Sequence, residues 1–486
     1  MLLAVMAIVV QDQVPLRAAA TDRSPASAML WQGDTLEVRG ERLDFLQVYD
    51  HRRERGGYVK AWQVRPYAVT AEETAELLAI VRFLREKPMA EALGIGYTAL
   101  YMKAAPATAI GPEIFDALGT FADRLAARAG SGRRRTEEES AAIAAHLEVA
   151  ASYGLRFDSI ENASGKVVVC YDGDAFQRVL AAGGASTALQ RVRAALGLTR
   201  PECVPPELSP VPKTALDTRR AEALDAVDLT GVPDYLRNRV HMRRAVVWSG
   251  LAFAHARRGD ATAVAAATRS IEELAAVNKS ELADSDGGLY TEAAVRVGAS
   301  RWGVNGLPSS PSTLSFPVTG GGGSPGAPAP ALALVTAARA PGETCVRLVS
   351  GQDPPLVERC TYGVVWPASS SVSPAGTAVA LAVQPLAGWR ELWLLRRSGE
   401  QWTLDVVPPG IDGPDTGYIE FAGWLPDDSA VLTAREAREN GRFSRSFEIL
   451  NLQTLVVDRK AESPEFLTPF YKWRDVRWRQ ATIAVR

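Results

Sequence analysis

The spacing of apolar residues changes twice along the chain, and this change limits the fold more than any other feature. Near the N-terminus apolar residues occupy every second position, as Leu36 and Val38 do, which is typical of strands with one buried face. From Ala71 to about Val297 the spacing becomes helical, and beyond a segment rich in Gly, Ser and Pro it returns to that of strands. The pattern predicts a multidomain α+β protein.

Composition shifts and turn residues predict where the domains meet. Gly, Ser and Pro dominate one stretch, which indicates a flexible linker between folded parts. We expect a leader at 1–13, a small β-barrel at 14–68, a mainly α-helical domain at 70–302 with a β-hairpin near 155–170, the linker at 303–331, and an antiparallel β domain at 332–486.

Short strands and glycine turns characterise the segment from Val14 to Tyr67. The segment contains Leu16-Arg17, the run Gly33 to Val38, and Gly57-Tyr58-Val59. In these residues it resembles a bacterial SH3-like domain. The resemblance implies a small barrel that binds peptides or cell-wall glycopeptide. The tryptophan usual before the middle strand of that family is Phe45 here, so the ligand groove is expected to differ.

Aromatic residues supply the candidate binding surface of the predicted barrel. Alternation turns Leu46 and Val48 inward, so Phe45 and Tyr49 should face outward. Aromatic rings offer apolar area with little rotamer entropy to lose, which suits an extended peptide or glycan. The expected groove residues are Trp31, Phe45, Tyr49, Tyr58 and Trp62. The alternative is a purely structural barrel without a ligand.

The apolar run from Met1 to Val10 matches the hydrophobic core of a signal peptide, although a basic stretch before it is missing. It is too short to span a bilayer, which needs about 20 residues. A buried strand is the alternative interpretation. With no other segment of spanning length in the sequence, we expect a mature protein without a transmembrane span, located in the periplasm or secreted.

Four cysteines are consistent with export, because thiols pair in oxidising compartments. Cys345 and Cys360 bracket a predicted hairpin, which would bring them within disulfide reach. Cys170 ends a predicted strand and Cys203 lies in a proline-rich segment. Three pairings are possible, and the sequential one, 170–203 with 345–360, keeps each bridge inside one domain.

The helical middle carries two notable patterns. Arg133-Arg134-Arg135 is followed, after Thr136, by Glu137-Glu138-Glu139, which is typical of a solvated helix start. A helix pair is predicted at 236–258 and 261–277, and its residues around Trp248 and Gly259-Asp260 resemble one tetratricopeptide-like hairpin. One such unit is a weak indication, because these repeats bury their faces by stacking.

The C-terminal β region contains three segments in which a tryptophan (Trp366, Trp424 and Trp478) accompanies β-rich sequence. The run from Trp424 to Ser429 reads W-x-P-D-x-S, and the region resembles blades of a WD-repeat or TolB-like propeller. Propellers need four or more blades to close. A partial propeller, a β-sandwich and an open meander are therefore all compatible, and the tryptophans would pack blade cores or line a carbohydrate or peptide groove.

The chemistry-bearing residues favour binding over catalysis. The net charge of −2 gives no electrostatic argument for nucleic acid. No nucleophile, metal-ligand or phosphate-loop motif is present in the sequence, so no catalytic residue, metal or cofactor is assigned. We expect an exported binding or scaffold protein of the bacterial cell envelope, with an envelope protein or peptidoglycan as its partner. A cell-wall hydrolase or other envelope enzyme with an unrecognised active site is the alternative.

Overall fold

A computed structural model describes residues 5–132, 134–162, 165–307, 312–317, 331–351, 354–410 and 415–481. Residue contacts divide the chain into two compact units. Unit 1 ends at Ser209 and also includes Ala223–Val232, whereas unit 2 contains Pro210–Glu222 and the described residues from Pro233 onward. Within the described ranges, every helix is too short or too polar to cross a membrane.

Unit 1 begins with an antiparallel sheet of seven strands in the order β3-β2-β6-β5-β4-β1-β7. The strands are β1 (Val5–Val9), β2 (Val14–Arg17), β3 (Ala26–Leu30), β4 (Thr35–Arg42), β5 (Phe45–Asp50), β6 (Arg55–Lys60) and β7 (Val64–Tyr67). Leu36, Leu46 and Val48 are buried on one side of it, as the alternation predicts. The strands therefore exist where the alternation predicts them. The predicted barrel is wrong, because the sheet is not closed.

The first strand replaces the expected signal-peptide core. β1 lies between β4 and β7 and pairs with both of them. Ala7 and Val9 pack into the core of the sheet, while Ile8 packs against the helices on the other face. A strand buried on both faces has no polar positions, which explains the unbroken apolar run. The buried-strand alternative thus describes residues 5–9, and the sheet extends beyond the predicted limit at Val14.

Helices cover the second face of this sheet. They are α1 (Thr74–Arg85), α2 (Glu91–Ala104), α3 (Pro112–Gly130) and α4 (Glu137–Ser152). Ile8 and Tyr67 of the sheet share one apolar cluster with Leu77, Ile95 and Phe121 of the first three helices. The sheet and the first helices therefore form one unit, with no division at residues 68–70.

The rest of unit 1 holds the hairpin expected near 155–170. It consists of β8 (Phe157–Glu161) and β9 (Val167–Tyr171), followed by α5 (Asp174–Ala181) and α6 (Ala188–Leu198). Cys170 of β9 lies at disulfide distance from Cys203, with their Cα atoms 5.8 Å apart. This confirms the first predicted pairing.

The helices of the second half of the middle belong mostly to unit 2. They are α7 (Pro210–Asp225), which runs across the boundary of the two units, then α8 (Asp234–Arg257), α9 (Thr262–Ala275) and α10 (Gly287–Ser300). The predicted helix pair matches α8 and α9. One apolar cluster joins Met242, Leu274 and Val297 of α8, α9 and α10.

Twelve described strands of unit 2 follow in sequence order as three antiparallel meanders of four strands each. They are β10 (Ser312–Pro317), β11 (Ala331–Ala340), β12 (Glu343–Ser350) and β13 (Val357–Thr361); β14 (Val364–Val372), β15 (Ala378–Leu386), β16 (Trp389–Ser398) and β17 (Gln401–Val407); β18 (Gly417–Trp424), β19 (Ala430–Glu439), β20 (Arg442–Asn451) and β21 (Val457–Ala461). A short parallel pairing of β16 with β18 joins the second meander to the third.

Cross-strand pairing places Cys345 directly opposite Cys360 on β12 and β13, at disulfide distance. The second predicted pairing is therefore confirmed as well. Among the described residues no cysteine is left free.

Two expectations for the C-terminal region need correction. Ser312–Pro317, inside the predicted linker, form strand β10, while 308–311 and 318–330 of that linker lie outside the described residues. The described part of the third tryptophan segment, up to Ala481, is helical. Helix α11 (Thr468–Trp473) is followed by α12 (Val476–Ala481), and Trp478 packs against Phe447 and Phe470. Trp478 therefore reaches the aromatic core from a helix and not from the strand that the sequence predicted.

The turn motif at Trp424–Ser429 has a clear structural role. The carboxylate of Asp428 accepts hydrogen bonds from the Ser373 and Thr377 hydroxyls, each at 2.5 Å, and from the Ala375 backbone amide. Asp428 therefore ties the β18–β19 turn to the β14–β15 turn of the preceding meander.

Candidate functional site

A cavity of about 520 Å³ opens in unit 1 between the β1–β2 loop and helices α3 and α4. This volume lies within the range of small-ligand sites. The cavity is lined by side chains of both charges together with apolar ones: Asp12, Gln13, Met89, Arg128, Ser131, Arg135, Glu138, Glu139, Ala142, Ile143 and His146. We call it the unit 1 pocket.

The local sequence explains why α4 begins at the wall of this pocket. The Thr136 hydroxyl accepts from the Glu139 amide, and the Glu139 carboxylate accepts from the Thr136 amide, which forms a capping box. Arg135 donates to carbonyls at the C-terminal end of α3, namely those of Arg128 and Ala129. The predicted solvated helix start therefore also supplies pocket-lining residues.

A buried histidine links the sheet to the helices at the pocket. His146 lies 2.7 Å from Asp12 Oδ1 through Nε2 and 2.8 Å from Arg128 Nη2 through Nδ1. The guanidinium of Arg128 lies 3.1 Å from the buried carboxylate of Glu91. The four side chains form a continuous chain of polar contacts from Asp12 through His146 and Arg128 to Glu91, which we call the His146 network.

The hydrogen-bond partners determine the roles of the imidazole nitrogens. Arginine can only donate, so His146 Nδ1 accepts from Arg128, and Nε2 carries the hydrogen that Asp12 accepts. Burial is the largest influence on the Asp12 carboxyl and raises its pKa. Hydrogen bonds from the His146 ring and from Gln32 together outweigh burial, so the pKa of Asp12 lies below its ordinary value.

Close packing holds the loop that carries Trp31 and Asp34 against the helices. Gly33 adopts φ +86°, and a Cβ atom there would lie 2.5 Å from the carbonyl oxygen of Ala92 on α2. The Tyr153 hydroxyl donates to the Gly33 carbonyl at 2.6 Å, and burial raises the pKa of Tyr153 to about 12. Only glycine fits this close approach.

Three of the five predicted aromatic residues lie on one face of the sheet. Gln47 pairs with Tyr58 and Tyr49 with Gly56, so Phe45, Tyr49 and Tyr58 share that face. Arg39 lies 4.0 Å from the Tyr49 ring centroid. Phe45, however, is only 3 % exposed, which corrects its expected place on an open rim.

The other two predicted residues lie outside the strands of the sheet. Trp62 is in a 3-10 turn after β6 and is 62 % exposed. Trp31 makes an edge contact with His146, with ring centroids 6.3 Å apart. This contact with His146 places Trp31 beside the unit 1 pocket. Ligand binding by any of them stays a prediction.

Sequence reasoning missed Asp12, Arg128 and His146. Asp12 and His146 are distant in the chain, and no spacing motif connects them. The one usable signal was a histidine within the alanine-rich stripe of α4, next to Ile143 and Leu147.

A second network of buried charges lies in unit 2, and we call it the Arg390 network. Arg390 of β16 is fully buried and donates to Glu420 of β18 at 2.6 Å and to the Gly298 carbonyl of α10 at 2.6 Å. Arg301 donates to the same carboxylate. Burial lowers the pKa of Arg390 to about 10. The network joins the end of α10 to two strands.

Comparisons with protein-family models, with curated proteins and with solved structures give no significant match for this chain.

Proposed function

We propose that the protein is an extracytoplasmic binding protein whose unit 1 pocket takes a short peptide, such as the peptide stem of a cell-wall glycopeptide. The observation that carries this proposal is the composition of the pocket. Cations and carboxylates line one cavity of about 520 Å³ together with apolar Met89, Ala142 and Ile143. A ligand that combines carboxylate, amine and small apolar groups complements all three kinds of surface.

The charged side chains that line the pocket could orient such a ligand. Arg128 and Arg135 come from the end of α3 and the following loop, whereas Glu138 and Glu139 come from the first turn of α4. Side chains of both charges in one cavity favour a ligand that carries both a carboxylate and an ammonium group. Charge-assisted hydrogen bonds of this kind fix the direction of binding as well as its strength.

The partners of His146 support binding rather than catalysis. A histidine that acts as a general base needs a ring nitrogen within hydrogen-bond reach of the proton that it removes. In the His146 network both ring nitrogens already have partners, Asp12 and Arg128. The alternative, a hydrolase, would need this network to rearrange when substrate binds.

The proposed location depends on the cysteines. Both pairs lie at disulfide distance, one in each unit, and such bridges persist in oxidising compartments. Because residues 5–9 form a strand of the sheet, the apolar run at the start of the chain no longer supports export. A periplasmic or secreted location therefore rests on the disulfides alone.

A direct test is calorimetric titration of the full chain with a synthetic stem peptide and with soluble muropeptides. Ala142→Trp places a bulky ring in the pocket, and we expect it to weaken binding by roughly tenfold or more, which is about 1.4 kcal/mol. Ala141→Trp is the matched control, because Ala141 is exposed next to it on α4 and does not line the pocket.

The recovered ligand is analysed by mass spectrometry after the titration. Intact ligand supports a binding protein, and cleaved ligand would support the hydrolase. Equal affinities of the two tryptophan variants and the unaltered chain would remove the pocket as the binding site.

A further inference from the structure

The C-terminal segment of unit 2 exposes a group of large apolar side chains. Phe466 and Tyr471 are each 80 % exposed, Trp473 is 47 % exposed, and Val476 also faces solvent. Isolated exposed apolar residues are ordinary on protein surfaces, whereas several within one short stretch indicate an interaction site. We call residues 466–477 the aromatic segment.

The exposure occurs on a firmly packed segment. Phe470 and Trp478 are buried with Phe447, and the three rings make edge contacts at centroid distances of 5.6 to 6.3 Å. The Asp475 amide donates to the Ala422 carbonyl at 2.7 Å. The buried rings thus hold the backbone in place while their neighbours remain outside the core.

A glycine permits this packing. A Cβ atom at Gly423 of β18 would lie 2.3 Å from the carbonyl oxygen of Trp473. Any other residue at position 423 would push the segment away from the sheet. The local sequence of β18 is therefore suited to presenting Trp473 at this place.

The charge of the segment identifies the chemistry of its partner. The aromatic segment contains three basic residues and one acidic residue, Asp475, although the net charge of the whole chain is −2. The basic residues are Lys472, Arg474 and Arg477. Lys472 and Arg477 are exposed, and Arg477 also donates to the Ser370 carbonyl. Exposed Tyr and Trp rings next to Lys and Arg are the combination that anchors proteins at the membrane–water interface.

We propose that the aromatic segment docks the protein on a membrane surface that contains anionic lipids. The rings of Tyr471 and Trp473 enter the headgroup region, where an amphipathic ring keeps its polar atom hydrated. The cations attract the anionic headgroups, and their aliphatic stems add apolar contact. This proposal is independent of the unit 1 pocket.

Vesicle sedimentation with the full chain tests the proposal. We expect binding to vesicles that contain phosphatidylglycerol, little binding to pure phosphatidylcholine vesicles, and weaker binding as salt increases. Lys472→Gln should lower the partition coefficient by roughly fivefold, the contribution of one cation near an anionic surface. The double variant Tyr471→Ser and Trp473→Ser should abolish the remaining binding to neutral vesicles and most of the binding to anionic ones.

Unit 1 offers a matched control pair. Phe83 is exposed, and Lys87 lies 4.7 Å from its ring, so Phe83→Ser and Lys87→Gln remove the same chemistry elsewhere. We expect both control variants to bind vesicles as the unaltered chain does.

Circular dichroism confirms that each variant is folded before its binding is interpreted. Binding that is absent from anionic vesicles, or equally affected by the control pair, would overturn the proposal. Size-exclusion chromatography adds a further outcome: a dimer that is lost with Tyr471→Ser and Trp473→Ser would show a second copy as the occupant, and would also overturn it.

Discussion

The His146 network of unit 1 and the Arg390 network of unit 2 both pair arginine with carboxylate, but in different surroundings. In the first, Asp12 and Arg128 line a cavity and remain partly exposed. In the second, Arg390, Arg301 and Glu420 are sealed inside the protein. A buried charge without a partner destabilises a fold strongly, so a sealed network must remain intact. An open network can exchange partners with a ligand.

The largest effect is expected from the sealed network. Glu420→Ala leaves Arg390 and Arg301 without their shared carboxylate, and we expect unit 2 to lose about 3–5 kcal/mol of unfolding free energy. Denaturant unfolding measures it. Glu358→Ala is the control, because its pair with Arg347 is partly exposed and such pairs contribute about 0–1 kcal/mol. If both variants lost the same unfolding free energy, the buried pair would contribute no more to stability than the partly exposed pair, which would contradict this prediction.

Each disulfide should stabilise the unit that contains it. Cys170 and Cys203 are 33 residues apart in sequence, and Cys345 and Cys360 are 15 apart. Removing a bridge by serine substitution of both cysteines should lower stability by about 3 kcal/mol, slightly more for the longer loop, because the unfolded chain gains freedom. Calorimetry of each double variant checks this. A loss confined to the other unit would contradict the assignment of bridges to units.

A smaller effect is expected at the open network. His146→Ala removes the partner of Asp12 and of Arg128, but both side chains can turn towards water in the cavity. We expect a loss of about 1–3 kcal/mol, less than for Glu420→Ala. Denaturant unfolding under identical conditions gives the comparison. A loss as large as that of Glu420→Ala would show that the His146 network is as sealed as the other.

The smallest effect concerns pH. The pKa of Asp12 is lower in the folded protein than in the unfolded chain, so its ionised form stabilises unit 1 above the unfolded pKa. This contribution is lost as pH falls through the lowered folded pKa. Asp12→Asn should therefore flatten the acid side of the stability profile of unit 1. An unchanged acid limb in that variant would contradict the predicted contribution of Asp12.

Local features of the sequence were sufficient where the contacts are local. Cys345 and Cys360 lie in one hairpin, so alternation and turn residues place them opposite each other. The helix pair α8 and α9 follows from its apolar spacing and the turn at Gly259. The W-x-P-D-x-S turn was recognised, but the contact of Asp428 with the preceding meander depends on distant residues.

Long-range pairing limited the remaining predictions. The run from Met1 to Val10 suits both a signal-peptide core and a strand buried on two faces, and only the pairing of β1 with β4 and β7 separates them. A sheet closes into a barrel only when its two edge strands pair with each other. The alternation of apolar residues along a strand does not specify that pairing. The unit 1 pocket combines Asp12 with His146, and no local pattern connects these two residues.

Methionine-methyl NMR gives the most direct test of the difference between the two units. The chain has six methionines; Met89 lines the unit 1 pocket, and Met242 lies in the apolar core of unit 2. On titration with a synthetic stem peptide, we expect the Met89 methyl resonance to shift in proportion to occupancy and the Met242 resonance to stay in place. Unchanged Met89 together with a shifted Met242 would contradict the assignment of the ligand site to unit 1.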